Sequence, residues 1–168
     1  MKSPFCRQSQ GAELFQVRIQ TESFCLAEEE QKLQAAAYDC GALVSFKGMV
    51  RGKDQQQPLS YLFLEHFPGV TENEIEHIIH LAAERWHMAS CLVIHRVGNL
   101  LVGEPIVLVM VAARHRKEAF HAAEFIMDYL KTEAPFWKKE FFSDGNAQWV
   151  QAKATDTRHK ERWLISPD

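Results

Sequence analysis

Lys131 and Lys138 stand seven residues apart around Pro135, in the stretch Asp-Tyr-Leu-Lys-Thr-Glu-Ala-Pro-Phe-Trp-Lys-Lys-Glu from Asp128 to Glu140. Proline cannot continue a helix and pushes the residue before it, Ala134, out of helical geometry. The helical pattern arriving from Lys117 therefore stops, and Phe136-Trp137-Lys138 reads as the start of a strand. A bend of this kind lets two lysines converge on one point. Converging ammonium groups raise each other's cost of being charged, which favours a base or a nucleophile. A plainer reading stands beside this one: cations near a helix C-terminus simply favour the dipole there.

A second group of cations sits at Arg114-His115-Arg116, directly after an apolar run and directly before a helix. Free backbone N–H groups and the dipole make such a junction attractive to anions, and guanidinium forks suit phosphate or carboxylate. A solvated basic turn is the alternative. Arg51 also ends an apolar alternating segment and precedes a polar loop. The chain carries 19 Lys and Arg against 22 Asp and Glu, a net charge of -3. Cations gathered at the ends of elements in an acidic chain point to a focused pocket for a small anion. They do not describe a broad nucleic-acid face.

The elements that must position these residues follow from periodicity. Phe15, Val17 and Ile19 alternate in a strand over Glu13 to Gln20. Leu26 to Tyr38 is rich in helix formers and stops before Gly41. Gly41 to Arg51 is a strand with Ala42, Val44 and Phe46 on one face. Gly48 within it signals a bulge or a close backbone approach. Gly52 to Pro58 is a polar loop, a surface loop or a flap over a site, and Leu59 to His66 is a strand. Thr71 and Glu74 form a capping box that opens a helix to His87, with Ile75, Ile78, Ile79 and Ala82 as its buried stripe. Cys91 to Val97 and Pro105 to Ala113 are apolar strands. Lys117 to Ala134 is a helix with Ala119, Ala123, Ile126, Met127, Leu130 and Ala134 inward and Lys131 at the rim of that stripe. Phe136 to Phe142 and Ala147 to Ala152 flank the turn Ser143-Asp144-Gly145-Asn146 as a hairpin. Strands arrive in adjacent groups, so the fold class is α+β with a largely antiparallel sheet. The domain spans residues 13–153, between an N-terminal arm (1–12) and a charged C-terminal tail (154–168) with Trp163 and Leu164 as its docking residues.

At 168 residues the chain is one domain by length. No apolar run reaches the length of a membrane span. Cys6, Cys25, Cys40 and Cys91 form no C-x-x-C pair and read as free thiols in a cytoplasmic protein. His77 and His80 lie three apart on a helix without a third ligand at diagnostic spacing, so no metal site is expected. Gly-x-Ser-x-Gly, P-loop and Gly-x-Gly-x-x-Gly signatures are absent from the sequence.

An ordered set of segments carries a resemblance. These are Gly41-Ala42, Phe46-x-Gly48-x-Val50-Arg51, Leu64 to Thr71, His95 to Gly98, Val102 to Glu104, His115-Arg116 with Ala119-Phe120, Asp128 to Glu140, and Trp149-Val150. Together they resemble the large, catalytic subunit of molybdopterin synthase, over Glu13 to Lys153. The resemblance implies an α/β-hammerhead fold and a homodimer. Each copy would bind a small ubiquitin-like sulfur carrier, giving a heterotetramer. The carrier's Gly-Gly thiocarboxylate would enter a pocket and give sulfur to cyclic pyranopterin monophosphate, with no cofactor. Residue by residue, it implies Lys131 and Lys138 as catalytic and Arg51, His115, Arg116, Lys139 and Glu140 as substrate-binding. Phe46 would line the pocket, and Lys153 would reach toward the neighbouring subunit. Met49 departs from the basic residue many relatives carry. A non-catalytic module that grips a ubiquitin-like tail is the alternative.

Overall fold

The structure, a computed structural model, describes residues 14–37, 39–54, 57–150 and 154–164. In chain order the elements are β1 (Phe15–Gln20), α1 (Leu26–Ala36), β2 (Ala42–Met49), β3 (Lys53–Asp54), β4 (Gln57–His66), α2 (Val70–Arg85), β5 (Met88–Arg96), β6 (Gly98–Leu101), β7 (Pro105–Ala113), α3 (Arg116–Leu130), β8 (Phe136–Phe142), β9 (Ala147–Val150) and α4 (Ala154–Glu161). A short 3-10 turn, Arg162–Leu164, follows α4. The expected α+β class holds. All pairings are antiparallel except β1 with β5.

Two sheets divide the work. The first has the order β1-β5-β7-β2. One face of it, through Val107, Val109 and Val111, packs on Ile75, Ile78, Ile79 and Ala82 of α2 and on Ala122, Ala123, Phe125 and Ile126 of α3. Its other face, through Leu92, Ile94, Leu108 and Met110, packs on Leu33 and Ala37 in and just after α1. Strands covered on both sides must be apolar throughout, which is why β5 and β7 read as continuous runs. The second sheet joins β3, β4, β8 and β9, with β6 on the other side of β4. It covers a small core of Val50, Leu62, Leu64 and Leu100.

Several boundaries differ from those read in the sequence. The 52–58 stretch is not a plain loop, because Lys53 and Asp54 pair with Pro58 and Gln57 as a hairpin into β4. β6 was hidden in a segment read as punctuation, since four residues are too short for periodicity to register. α2 is capped two residues earlier than Thr71: Gly69, at φ 81°, precedes the helix, and Glu72 Oε2 accepts its N–H at 2.7 Å. α3 ends at Leu130, four residues before Ala134, so the proline's influence reaches back a full turn. In the tail, Trp163 is partly buried against the main core, whereas Leu164 is exposed.

Two glycines permit approaches that a side chain would block. A Cβ on Gly48 would lie 2.7 Å from Val107 Cγ1, and the β2–β7 register shifts between Gly48 and Met49. A Cβ on Gly41 would lie 2.6 Å from the Arg114 carbonyl oxygen. Backbone cannot yield as a flexible side chain would, so Gly41→Ala should destabilise the protein by about 1–3 kcal/mol. Thermal or denaturant unfolding will check this, with the loss expected as a lowered midpoint.

Candidate active site at the helix-to-strand bend

The site is built where α3 gives way to β8. Lys131 caps the C-terminus of α3 in helical geometry (φ -76°, ψ -18°), its N–H donating to the Met127 carbonyl at 3.3 Å. Thr132 Oγ1 donates back to the Asp128 carbonyl at 3.0 Å, and the Glu133 N–H to the Tyr129 carbonyl at 2.8 Å. These bonds satisfy carbonyls that a helix end leaves open. The chain then turns at Pro135. Thr71, fully buried in the first turn of α2, donates its hydroxyl to the Phe67 carbonyl at 3.0 Å and lies 3.3 Å from the Pro135 carbonyl. Its oxygen also accepts the Phe67 N–H at 3.0 Å. The hydroxyl read as a helix cap is thus a tie between α2 and the bend.

Phe136 is fixed by a second device. Its ring stacks on His95 of β5, with centroids 3.8 Å apart and planes 19° from parallel. His95 Nδ1 donates to the Arg96 carbonyl at 2.9 Å, which sets the tautomer of the neutral ring, because a carbonyl can only accept. Burial pushes the His95 imidazole down to about 4, and His66 nearby adds to the cost of its charge.

Lys138 and Glu140 share one face of β8. Their cross-strand partners are Leu64 and Leu62, members of the small core that also holds Val50. Val50 is braced by the turn before β7, taking N–H···O bonds of 2.9 Å with Glu104 and Gly103. Arg51, which follows it directly, is exposed. Lys138 Nζ stands 2.9 Å from Glu140 Oε1. Glu140 is 1% exposed, and neither of its carboxylate oxygens has a hydrogen-bond donor in line. A buried carboxylate without its cation is costly, so the two hold each other. Glu140, expected at the substrate, is here the counter-charge that seats Lys138.

Lys139, also expected at the substrate, has different surroundings. Strand alternation sends it to the opposite face of β8, where its ammonium lies 5.2 Å from the Phe141 ring centre and 5.4 Å from that of Trp149. It belongs to an outer aromatic face with Tyr61 stacked on Phe141 at 4.3 Å and half-exposed Trp137 and Trp149. Phe46 is exposed on the edge strand β2, across from Val109, on the face that α3 covers. Lys153 lies outside the described residues.

The expected single anion pocket is divided within one chain. His115 caps the N-terminus of α3 in extended geometry (φ -130°, ψ 153°) and Arg116 begins the helix; both are exposed, as is Arg114. No side chain caps that end, which leaves its N–H groups for water or a ligand. Yet Lys131 is at the other end of α3. Fifteen residues separate the two ends, roughly 22 Å at 1.5 Å per residue. β2 repeats the division: Ala42 pairs with Ala113 beside Arg114, whereas Met49 pairs with Pro105. Lys131 thus lies at one end of α3 and His115 and Arg116 at the other, with Arg51 following the Met49 end of β2. Among the described residues, no group of three or more His, Cys, Asp or Glu is placed to hold a metal ion. No helix among them is long and apolar enough to cross a membrane.

An α+β domain that presents lysines at a bend and an uncapped, basic helix start is the class these features define. The MoaE protein family profile matches residues 19–133. A molybdopterin synthase catalytic subunit from Mesorhizobium japonicum is 50% identical over 153 residues, covering 90% of this chain and 95% of that one. One from Ralstonia nicotianae is 49% identical, covering 90% and 86%. Among solved structures, a molybdopterin biosynthesis MoaE protein from Burkholderia ambifaria superposes with a TM-score of 0.76 at 45% identity, covering 89% and 98%. The chain belongs to the MoaE protein family.

The His95–Phe136 stack generates a pH prediction. The folded state holds His95 well below its ordinary 6.5, so below that pH the unfolded chain binds a proton that the folded chain does not. Stability is therefore full above about pH 6.5 and falls as pH drops toward 4, by up to about 3 kcal/mol. Melting curves across this range should show the fall, and His95→Leu should flatten it.

Proposed function

We propose that this chain is the catalytic subunit of a molybdopterin synthase. It takes sulfur from the C-terminal Gly-Gly thiocarboxylate of a small ubiquitin-like carrier and passes it to cyclic pyranopterin monophosphate. Two transfers in turn build the dithiolene of molybdopterin. The observation that carries this reading is the lysine pair around Pro135, seated by Glu140 and Thr71, in a chain half identical to such subunits over nine-tenths of its length. The protein acts in the cytoplasm, in keeping with the free thiols of Cys25, Cys40 and Cys91.

The chemistry follows from the groups present. Sulfur leaving an acyl carbon for a pterin carbon passes through anionic species, which nearby ammonium groups stabilise. Lys131 is the general acid and base, and Lys138 supports it electrostatically. Phe46 lines the way in for the carrier's terminal glycines. The phosphate is held by the N-terminus of α3 with His115 and Arg116.

The separation of the two cation groups gives the homodimer a purpose. A pterin phosphate is too short to span α3, so one copy's His115 and Arg116 hold the phosphate beside its partner's Lys131 and Lys138. The carrier binds each copy, giving a heterotetramer. Two-fold symmetry then makes two identical composite sites.

Lys131→Ala should lower product formation about 10²- to 10⁴-fold while leaving the fold and carrier binding in place. An assay with thiocarboxylated carrier and cyclic pyranopterin monophosphate measures this, and near-normal turnover would remove Lys131 from the mechanism. Binding of the carrier with no turnover under any condition would instead define a non-catalytic module. The composite site has its own test. Lys131→Ala and Arg116→Ala proteins, each inactive alone, should recover about a quarter of wild-type activity when subunits exchange at random, because half the dimers regain one intact site. Sites confined to one chain would recover nothing.

A further inference from the structure

The C-terminal end of α3 is acidic where a helix dipole asks for positive charge. Glu124 and Asp128 lie on its last turns and Glu133 just beyond, while the last turn of the helix holds no basic residue. The cations arrive from the end of the chain. Arg162 Nη2 lies 2.7 Å from Asp128 Oδ2 and 2.8 Å from Glu124 Oε1. Trp163 Nε1 donates to the same Asp128 oxygen at 2.8 Å. Lys160 pairs with Glu133 and sets its ammonium 5.7 Å from the Tyr129 ring centre.

Packing anchors this segment on two helices at once. The Trp163 ring stands edge-on to Trp86 and Phe125, each with centroids 5.5 Å away. Its carbonyl accepts from Arg85 Nη1 at 2.8 Å. Asp128 is consequently buried, and a buried carboxylate requires both partners that Arg162 and Trp163 provide.

Lys131 falls between the two grips, three residues after Asp128 and two before Glu133. The bonds of the same turn, from the Thr132 hydroxyl to the Asp128 carbonyl and from the Glu133 N–H to the Tyr129 carbonyl, link one grip to the other through it. We propose that Lys160, Arg162 and Trp163 are positioning residues: the C-terminal segment clasps the last turn of α3 and fixes the direction in which Lys131 leaves the helix. This rests on Lys131 being the acid and base of the proposed reaction. The geometry gives the clasp a role beyond stability, because the gripped residues flank the working lysine. Displacing a catalytic group by an ångström costs rate rather than binding.

The test uses the full chain with thiocarboxylated carrier and cyclic pyranopterin monophosphate, alongside amide hydrogen exchange. Trp163→Ala and Arg162→Ala should lower kcat about ten- to hundredfold with KM for the carrier changed by no more than about twofold. Exchange should quicken at residues 131–133 and stay slow in β7. Arg162→Lys, which keeps the charge, should recover most of kcat. Faster exchange at 131–133 with kcat unchanged would overturn the proposal. So would kcat, KM and melting temperature falling together with Arg162→Lys no better than Arg162→Ala. If Lys131→Ala itself turned over normally, the lysine assignment would fail first and the positioning role with it. The exchange data would still report whether the segment grips the turn.

Discussion

A proline that ends a helix is the constraint on which this structure depends. Because Pro135 excludes Ala134 from helical geometry, α3 stops and the chain crosses from the helix-covered sheet to the second sheet. Thr71 ties the crossing to the start of α2, and the His95–Phe136 stack ties it to β5. The bend is therefore held from both sides by elements that belong to the main core. Lys131 leaves from its first half and Lys138 from its second, so fixing the crossing fixes both.

Electrostatics then sorts the cations by partner. Lys138 is seated by a carboxylate removed from water, Lys139 rests on aromatic faces, and Arg162 and Lys160 serve the acidic end of α3. Four cations close in sequence or space thus do three different things. What separates them is the face or the helix end to which the backbone delivers them. The length of α3 adds the remaining division, between the end that carries Lys131 and the uncapped end that carries His115 and Arg116.

Much of the fold was legible because it rests on local pattern. The isoleucine stripe of α2, the unbroken apolar runs of β5 and β7 and the 143–146 hairpin all appear where periodicity places them. The bend that carries Lys131 and Lys138 was legible through the proline between them. Glu140 and Lys139 were expected at the substrate through the resemblance alone, and strand alternation sends one inward to its lysine and the other outward. His115 and Arg116 were grouped with Lys131 because charge type was read without the length of the helix that parts them. The roles of Thr71 and His95 depend on contacts across long sequence separations, and no local signal announces such contacts. The tail's Trp163 was legible as an anchor; its hydrogen bond to Asp128 was not.

The alternation along β8 has a consequence for how such a chain can diverge. Trp137 and Lys139 face outward, and Lys138 and Glu140 inward, in register with Glu65, Phe63, Leu64 and Leu62. Gain or loss of one codon within this strand would exchange the two sets, placing an indole in the small core and the Lys138–Glu140 pair in solvent. Substitutions can be absorbed one side chain at a time, but an odd-numbered indel there changes every assignment downstream of it at once. Length variation among descendants of this sequence should collect instead in the exposed turn at 143–146, where Gly145 already adopts a left-handed conformation.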